Sequence, residues 1–281
     1  MPTEKSKIKL LVVLVNYFND DEIAGFIKSE LFNQDYDDFE IIVVNNGSHQ
    51  FELFETKLKL PRVTLLNPGK NLGYLHAFLH GIDHYKSEKG EYPELMILCN
   101  SDMHFQVKSV LRDLCSKYER TDFACIGPSI ISTRQGNLQN PFMISRISKS
   151  KLIRIRFVDG RYFFYLLYQV ASQVRSIWNK FTKFSRQTIN AQTVYALHGS
   201  FVVFSKKFVI AAVDDLRDSP FLFGEEVYLA ELARKHNFKM YYDPSFVVEH
   251  NEHATTGTFK KRSLILHEHN SLTQILNQFF E

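Results

Sequence analysis

The chain has 281 residues, of which 44% are hydrophobic and 23% are charged, and its formal net charge is +3. This length and composition suit one large α/β domain and exclude a disordered or fibrous protein. We expect neither a membrane-spanning segment nor a secretory signal, because the sequence has no run of about 18 uncharged apolar residues and no small-residue cleavage site near Met1.

The predicted elements of the first half alternate between strands and helices. Apolar runs typical of buried strands span residues 8–15, 40–44, 63–66, 95–99 and 123–127. Helical patterns lie at 22–33, 73–87 and 107–118. This alternation predicts right-handed βαβ units and a mostly parallel sheet flanked by helices, in which ligands bind at the carboxyl ends of the strands.

Polar clusters follow three of these strands. They lie at residues 16–19, 45–48 and 100–102. Turn formation explains any one of them, since Asn, Asp, Gly and Ser commonly end strands. Three clusters at the same edge of one sheet instead favour a binding site.

A basic and aromatic segment interrupts this pattern. Residues 141–190 contain ten Lys or Arg and ten aromatic residues, but one acidic residue, Asp159. We interpret the region of about 135–190 as a helical insertion into a single domain that spans residues 1–281. The α/β pattern then resumes with a strand at 194–204, a helix at 225–236, a strand at 239–248 and a C-terminal helix from about 260.

Several common catalytic motifs are absent from the sequence. It has no GxGxxG after the first strand, no GxxxxGK[ST], no GxSxG and no HExxH. The three cysteines have no CxxC spacing, which argues against a zinc site or a disulfide framework and fits a reducing cytosol. They are Cys99, Cys115 and Cys125.

Seven short motifs nevertheless occur in a recognisable order: residues 15–19 (VNYFN), 43–48 (VVNNGS), 71–74 (NLGY), 100–102 (NSD), 198–201 (HGSF), 223–226 (FGEE) and 247–250 (VVEH). In this order they resemble the nucleotide-sugar-dependent glycosyltransferases of family 2, which have the GT-A fold. The resemblance is to rhamnosyltransferase-like members of the bacterial surface polysaccharide type. It implies a nucleotide-binding half at about 1–130 and an acceptor and catalytic half at about 191–281.

The resemblance also implies roles for individual residues. The donor nucleotide would contact Val15, Asn16, Tyr17, Asn45, Asn46, Asn71, Gly73, Asn100 and Ser101. The donor sugar and acceptor would lie near His198, Gly199 and Ser200.

The expected cofactor is Mg²⁺ or Mn²⁺, because the diphosphate of a sugar nucleotide needs a hard cation with oxygen ligands. The resemblance places this metal at Asp102 and His250. The alternatives are that Asp102 caps the following helix and that His250 is an ordinary surface histidine.

Two adjacent acids are the catalytic candidates. The resemblance makes Glu226 the general base of an inverting single displacement and Glu225 its paired acid. The structural alternative is favourable placement of acids in the first turn of a helix.

The expected reaction transfers a hexosyl or deoxyhexosyl group from a UDP-, dTDP- or GDP-sugar to a glycan or a polyprenyl-diphosphate-linked acceptor. The alternative is a catalytically decayed relative that acts as a peripheral membrane-binding module. Four departures from the family pattern keep this alternative open: Asn45, Asn100, Glu226 and Tyr228. A nucleotidyltransferase is a third and weaker reading, because its Gly-rich phosphate loop is missing.

The basic insertion suits an anionic membrane surface or a lipid-diphosphate acceptor, and equally a solvated helical flap. Nucleic acid is not an expected partner, because no RNP, KH or finger signature is present. We therefore expect a cytoplasmic protein, which would lie on the inner face of the membrane if the insertion binds that surface.

Overall fold

A computed structural model describes residues 10–118, 122–159, 190–251 and 262–281. The first half of the chain forms five strands: β1 (Leu10–Tyr17), β2 (Phe39–Gly47), β3 (Val63–Leu66), β4 (Leu95–Cys99) and β5 (Met103–Phe105). Its helices are α1 (Asp20–Phe26), which continues as one π-helical turn through Leu31, α2 (Phe51–Lys57), α3 (Leu75–Lys89) and α4 (Val110–Lys117).

The second half contributes four strands: β6 (Cys125–Ser132), β7 (Gln192–Val194), β8 (Phe201–Ser205) and β9 (Met240–His250). Its described helices are α5 (Lys149–Asp159), α6 (Lys206–Arg217), α7 (Glu225–Lys235) and α8 (Arg262–Phe279).

The nine strands of the described residues belong to one mixed sheet with the order β3-β2-β1-β4-β8-β6-β9-β5, and β7 also pairs with β9. The strands β3, β2, β1 and β4 are parallel to one another. Strand β8 runs antiparallel between β4 and β6, and β9 is parallel to β6. The predicted α/β class, with a single sheet flanked by helices, is confirmed.

Alternate side chains of each buried strand enter two hydrophobic layers, as the two-residue period of a strand requires. In β1, Leu11 and Val13 pack on the layer that contains α3, α6, α7 and α8. Leu10, Val12 and Leu14 pack on the opposite layer with α1, α2 and α4. Both faces of β1 are therefore covered, which explains its continuous apolar sequence.

The predicted strand at 194–204 is wrong in one respect. The chain forms β7 and β8 there as two strands, because His198 and its neighbours make a turn between them. The sequence reading also missed α6, which follows β8 without a break and begins where the Ser205 hydroxyl accepts a hydrogen bond from the Phe208 amide. Helix α2 and the three-residue strand β5 were missed as well.

The basic insertion is described only in part. Helix α5 confirms the helical expectation for residues 149–159, whereas residues 160–189 lie outside the described residues. Within the described ranges, the structure has no helix with the length and apolar character needed to cross a bilayer.

Candidate functional site

A cleft of about 540 Å³ opens at the carboxyl ends of β1, β2 and β4. The structure brings eight of the predicted residues to its wall: Val15, Tyr17, Asn46, Asn71, Gly73, Asn100, Ser101 and Asp102. Eight further residues complete the lining and had no role assigned from the sequence, although two of them lie in the motifs at 15–19 and 71–74: Asn19, Glu22, Tyr74, Phe221, Leu222, Ser263, Leu264 and His267.

Backbone pairing fixes Asp102 beside His250. The short strand β5 pairs antiparallel with the end of β9, so that Met103 lies opposite His250. The Asn251 amide also donates to the Asp102 carbonyl at 2.9 Å. As a result, Asp102 Oδ1 and His250 Nε2 are 3.2 Å apart, although 148 residues separate them along the chain.

The two facing atoms carry electron pairs that no hydrogen bond uses. His250 Nδ1 is 2.8 Å from Gln139 Oε1. Because a carbonyl oxygen can only accept, Nδ1 carries a ring hydrogen, and in the neutral ring Nε2 keeps its lone pair. Asp102 Oδ1 is buried and has no hydrogen-bond partner. The 3.2 Å separation thus places two electron-pair donors face to face in a nearly buried position.

This arrangement fits a divalent cation. Two ligands that each lie about 2.1 Å from an octahedral cation, at right angles to each other, are about 3 Å apart. The hydrogen bond to Gln139 orients the His250 ring in the way that outer partners orient metal-bound histidines. The described part of the chain contains no cluster of three or more His, Cys, Asp or Glu residues that could hold a metal. Asp102 and His250 would supply two ligands to such a cation, and oxygens of a bound molecule would supply others.

His198 lies next to this pair and is neutral near pH 7. Its ring centroid is 5.9 Å from that of His250. Burial lowers the pKa of His198 to about 4, and a positive charge at the nearby His250 acts in the same direction. Its Nδ1 accepts a hydrogen bond from the Ser200 amide at 3.2 Å and lies 2.9 Å from the Ser200 hydroxyl. His198 and Ser200 therefore form one rigid turn beside the Asp102–His250 pair.

The acids Glu225 and Glu226 open helix α7 next to the same turn. Phe223 and Gly224 both have positive φ, at 66° and 77°, and this sharp bend starts the helix at Glu225. A Cβ atom placed on Gly199 would lie 3.1 Å from Glu225 Oε1 and 3.4 Å from Glu226 Oε1. Both carboxylates thus approach the backbone at Gly199, which is possible because that residue has no side chain.

Tyr74 links these parts of the site. Its hydroxyl group lies 2.9 Å from Asn100 Oδ1 and 3.1 Å from the Gly199 carbonyl. Burial raises the pKa of the Tyr74 phenol well above its ordinary value, and the surrounding acidic groups raise it further. Tyr74 is therefore a neutral donor that ties the end of β4 to the turn before β8.

Asn16 and Asn45 stand behind the cleft wall, and neither is among the residues that line it. The Asn16 amide donates to Asn45 Oδ1 at 3.0 Å, to Asp20 Oδ1 at 2.7 Å and to the Gly47 carbonyl at 2.9 Å. Asn16 is fully buried and Asn45 is 6% exposed. In this structure the two amides hold the ends of β1 and β2 together, and through them support the cleft.

Asn46 holds the loop that forms one side of the cleft. Its side-chain amide donates to the Gly73 carbonyl at 2.7 Å and accepts from the Leu72 amide at 3.1 Å. Asn71 Oδ1 accepts from the Gly73 amide at 2.8 Å. These bonds explain the Asn-x-Gly pattern, because they need two side-chain amides and a residue that tolerates φ of +83°.

Tyr228, one of the departures from the family pattern, is a core residue. It is fully buried, and its hydroxyl donates to the Asp215 carbonyl at 2.6 Å. Its ring packs against Phe279 with centroids 5.4 Å apart. This side chain joins α7 to α6 and α8. The tyrosine at this position is therefore explained by core packing and not by the chemistry of the cleft.

The lining residues to which the sequence assigned no role come from four places: the start of α1, Tyr74 before α3, the loop at Phe221 and Leu222, and the first turns of α8. Asn19 and Glu22 belong to the start of α1, where the Ser101 hydroxyl hydrogen-bonds to the Glu22 carboxylate and Asn19 Nδ2 donates to Ser101 Oγ at 2.8 Å. The acidic first turn of α1 was a usable signal for Glu22. Phe221 and the first turn of α8 reach the cleft through tertiary packing, which no local pattern indicates.

Comparisons with known proteins identify a family for most of the chain. The family model described as "Glycosyl transferase family 2" matches residues 11–210. No curated protein matches the chain.

Solved structures share the fold at low sequence identity. One is GalNAc-T7 with UDP, GalNAc and Mn²⁺, with a TM-score of 0.55 and 13% identity over 90% of this chain, which spans 45% of that chain. Another is the mannosyltransferase PcManGT from Pyrobaculum calidifontis with GDP-Man and Mn²⁺, with a TM-score of 0.52 and 11% identity over 97% of this chain and 74% of that chain. A third is a mycobacterial protein, with a TM-score of 0.54 and 13% identity over 98% of this chain and 76% of that chain.

The cleft loop generates a stability prediction. Gly73 and Gly69 both have positive φ, at +83° and +72°, but a Cβ atom on Gly73 would lie 2.0 Å from the Phe221 carbonyl oxygen, whereas one on Gly69 would meet nothing within 4 Å. We expect Gly69→Ala to lower the free energy of unfolding by about 1 kcal/mol through backbone strain. Gly73→Ala should lower it by about 3 kcal/mol, because steric overlap adds to the strain. Urea denaturation measures both, and equal losses would contradict the close approach of Gly73 and Phe221.

Proposed function

The chain belongs to glycosyl transferase family 2, and on this basis we propose that it is an inverting enzyme that transfers a sugar from a nucleoside-diphosphate donor. The acceptor is a glycan or a polyprenyl-diphosphate-linked glycan. The observation that carries the proposal is the pair of facing donors Asp102 Oδ1 and His250 Nε2 at the edge of the cleft, 3.2 Å apart. A sugar nucleotide presents diphosphate oxygens, which complete the coordination of a hard cation held by such a pair.

The donor occupies the cleft with its diphosphate at Asp102 and its nucleoside toward the ends of β1 and β2. Asp102 and His250 hold Mg²⁺ or Mn²⁺ there, and the bound cation supplies neutralisation of the charge on the leaving diphosphate. The Mn²⁺ named for GalNAc-T7 and for PcManGT, and the UDP and GDP-Man named with them, support this assignment by analogy of fold. The exposed ring of Tyr17 offers a flat face for the base.

A general base activates the acceptor hydroxyl. We assign this role to Glu226, with Glu225 as the adjacent acid that shares its turn. Both carboxylates approach the backbone at Gly199, next to the turn that carries His198. A carboxylate beside the acceptor removes the hydroxyl proton as the oxygen attacks the anomeric carbon from the face opposite the diphosphate. That single displacement inverts the anomeric centre and needs no protein nucleophile.

Two further parts of the proposal concern the biological setting. The transferred group is a hexosyl or deoxyhexosyl residue, and the pathway is that of a rhamnosyltransferase-like enzyme of surface polysaccharide assembly on the cytoplasmic side of the membrane. The motif order in residues 15–19 through 247–250 supports this reading. The catalytically decayed alternative loses part of its support, because Tyr228 is explained by core packing and Asn45 by its bonds beneath the cleft.

The metal assignment is tested by Asp102→Ala. We expect this variant to lose more than about 100-fold in Mn²⁺-dependent affinity for nucleoside diphosphates, because it removes a direct ligand and outer-shell losses alone reach that range. Asp113→Ala on α4 is the matched control, since Asp113 is an exposed carboxylate in the same half of the chain. Isothermal titration calorimetry with UDP, GDP and dTDP measures the affinities with and without Mn²⁺. Unchanged metal-dependent binding in Asp102→Ala would contradict the role.

The base assignment is tested by Glu226→Gln. Turnover should fall by a factor of roughly 10²–10⁴, the usual contribution of a general base, whereas donor affinity should change little. Glu225→Gln is the matched variant, because it makes the same neutral replacement one residue earlier in the same helical turn. Steady-state transfer assays measure the turnover of both variants. A large loss of turnover in Glu225→Gln, with Glu226→Gln still active, would reverse the assignment.

A further inference from the structure

Helix α5 has an outer face that combines apolar and basic side chains. Ile153 is 41% exposed and Phe157 is 52% exposed, and they lie four residues apart on the same side of the helix. The exposed residues Lys149, Lys151 and Arg154 flank them. Residues 149–158 contain no acidic side chain. The exposed charges of this stretch are all positive, and such a surface is attracted to the negative potential of an anionic bilayer.

The inner face of α5 fixes this orientation. Leu152 is 1% exposed and belongs to the main hydrophobic layer. The Arg156 carbonyl lies 3.1 Å from His269 Nδ1 on α8. Just before the helix, Arg146 makes two hydrogen bonds of 2.8 Å to the buried Glu231. The helix is therefore held against the body of the protein, and the exposed side chains cannot turn inward without breaking these contacts.

Two connections join this face to the cleft. Phe142 is 41% exposed, and its ring centroid is 6.0 Å from that of His198, which neighbours His250. On the other side, the first turns of α8 line the cleft through Ser263 and His267, and the next turn contacts α5. Ile144, at 55% exposed, adds to the apolar surface beside Phe142. Exposed apolar residues shortly before α5 thus approach His198, and the inner side of α5 contacts the helix whose first turns line the cleft.

We propose that the outer face of α5, with Phe142 and Ile144, docks the protein on an anionic phospholipid bilayer. The charge complementarity is direct, because each basic side chain near an anionic surface contributes about a factor of five to the partition coefficient. Ile153 enters the boundary between headgroups and acyl chains. Docking in this way presents the cleft to an acceptor that is anchored in the same bilayer. This consequence rests on the proposed function, but the docking itself does not depend on it.

Co-sedimentation with vesicles tests the docking without donor or acceptor, so that its outcome is independent of catalysis. The full-length protein should bind phosphatidylglycerol vesicles, bind pure phosphatidylcholine vesicles weakly, and release as salt rises from about 0.05 to about 0.5 M. The double variant Ile153→Asp/Arg154→Glu should lower the partition coefficient at least about tenfold. Its Mn²⁺-dependent affinity for nucleoside diphosphates should stay unchanged, which shows that the fold and the cleft are intact.

The matched control is Ile210→Asp/Lys207→Glu on α6, which removes an exposed isoleucine and reverses an exposed cation on another surface. This variant should bind vesicles as the wild type does. Absence of binding at low salt would overturn the proposal, and so would equal losses in the two double variants. Sedimentation velocity supplies the remaining outcome: a dimer that Ile153→Asp/Arg154→Glu dissociates would assign the face to a second copy of the chain instead.

Discussion

The site depends on one electrostatic constraint, the close approach of two electron-pair donors that the sheet does not allow to separate. Asp102 Oδ1 and His250 Nε2 face each other at 3.2 Å because β5 and β9 are paired at that point. A carboxylate oxygen and the lone pair of a neutral imidazole repel each other in a nearly buried position, and either a cation or a proton on Nε2 relieves that repulsion. The rest of the cleft, from the Gln139 bond that orients His250 to the neutral His198, is built around this pair.

The sequence predicted best those features that depend on residues close together along the chain. Apolar runs located β1 to β4 to within a few residues, and the polar residues after them do lie at one edge of the sheet. Helix α6 was missed because its apolar residues follow β8 directly, without a turn signal. Strand β5 was missed because three residues carry no period of their own. It forms through pairing with β9, and that pairing is what brings Asp102 to His250.

The candidate site shows the same division between residues that local sequence identifies and residues that depend on tertiary packing. Asp102, Asn71 and Gly73 could be identified from motifs, since a strand end or a tight turn requires those residue types. The contributions of Phe221 and of α8 could not, because they depend on how distant helices pack over the cleft. Asn16 and Asn45 are motif residues that do not line the cleft. They support its wall from beneath by hydrogen-bonding to each other.

Anomalous diffraction at the manganese edge, from crystals grown with Mn²⁺ and a nucleoside diphosphate, tests the Asp102–His250 pair most directly. The account predicts one strong peak between the two side chains, within about 2.3 Å of Asp102 Oδ1 and of His250 Nε2, with diphosphate oxygens completing the coordination. A peak elsewhere in the cleft would contradict it, as would a nucleotide bound with Asp102 and His250 joined by a hydrogen bond and no metal between them.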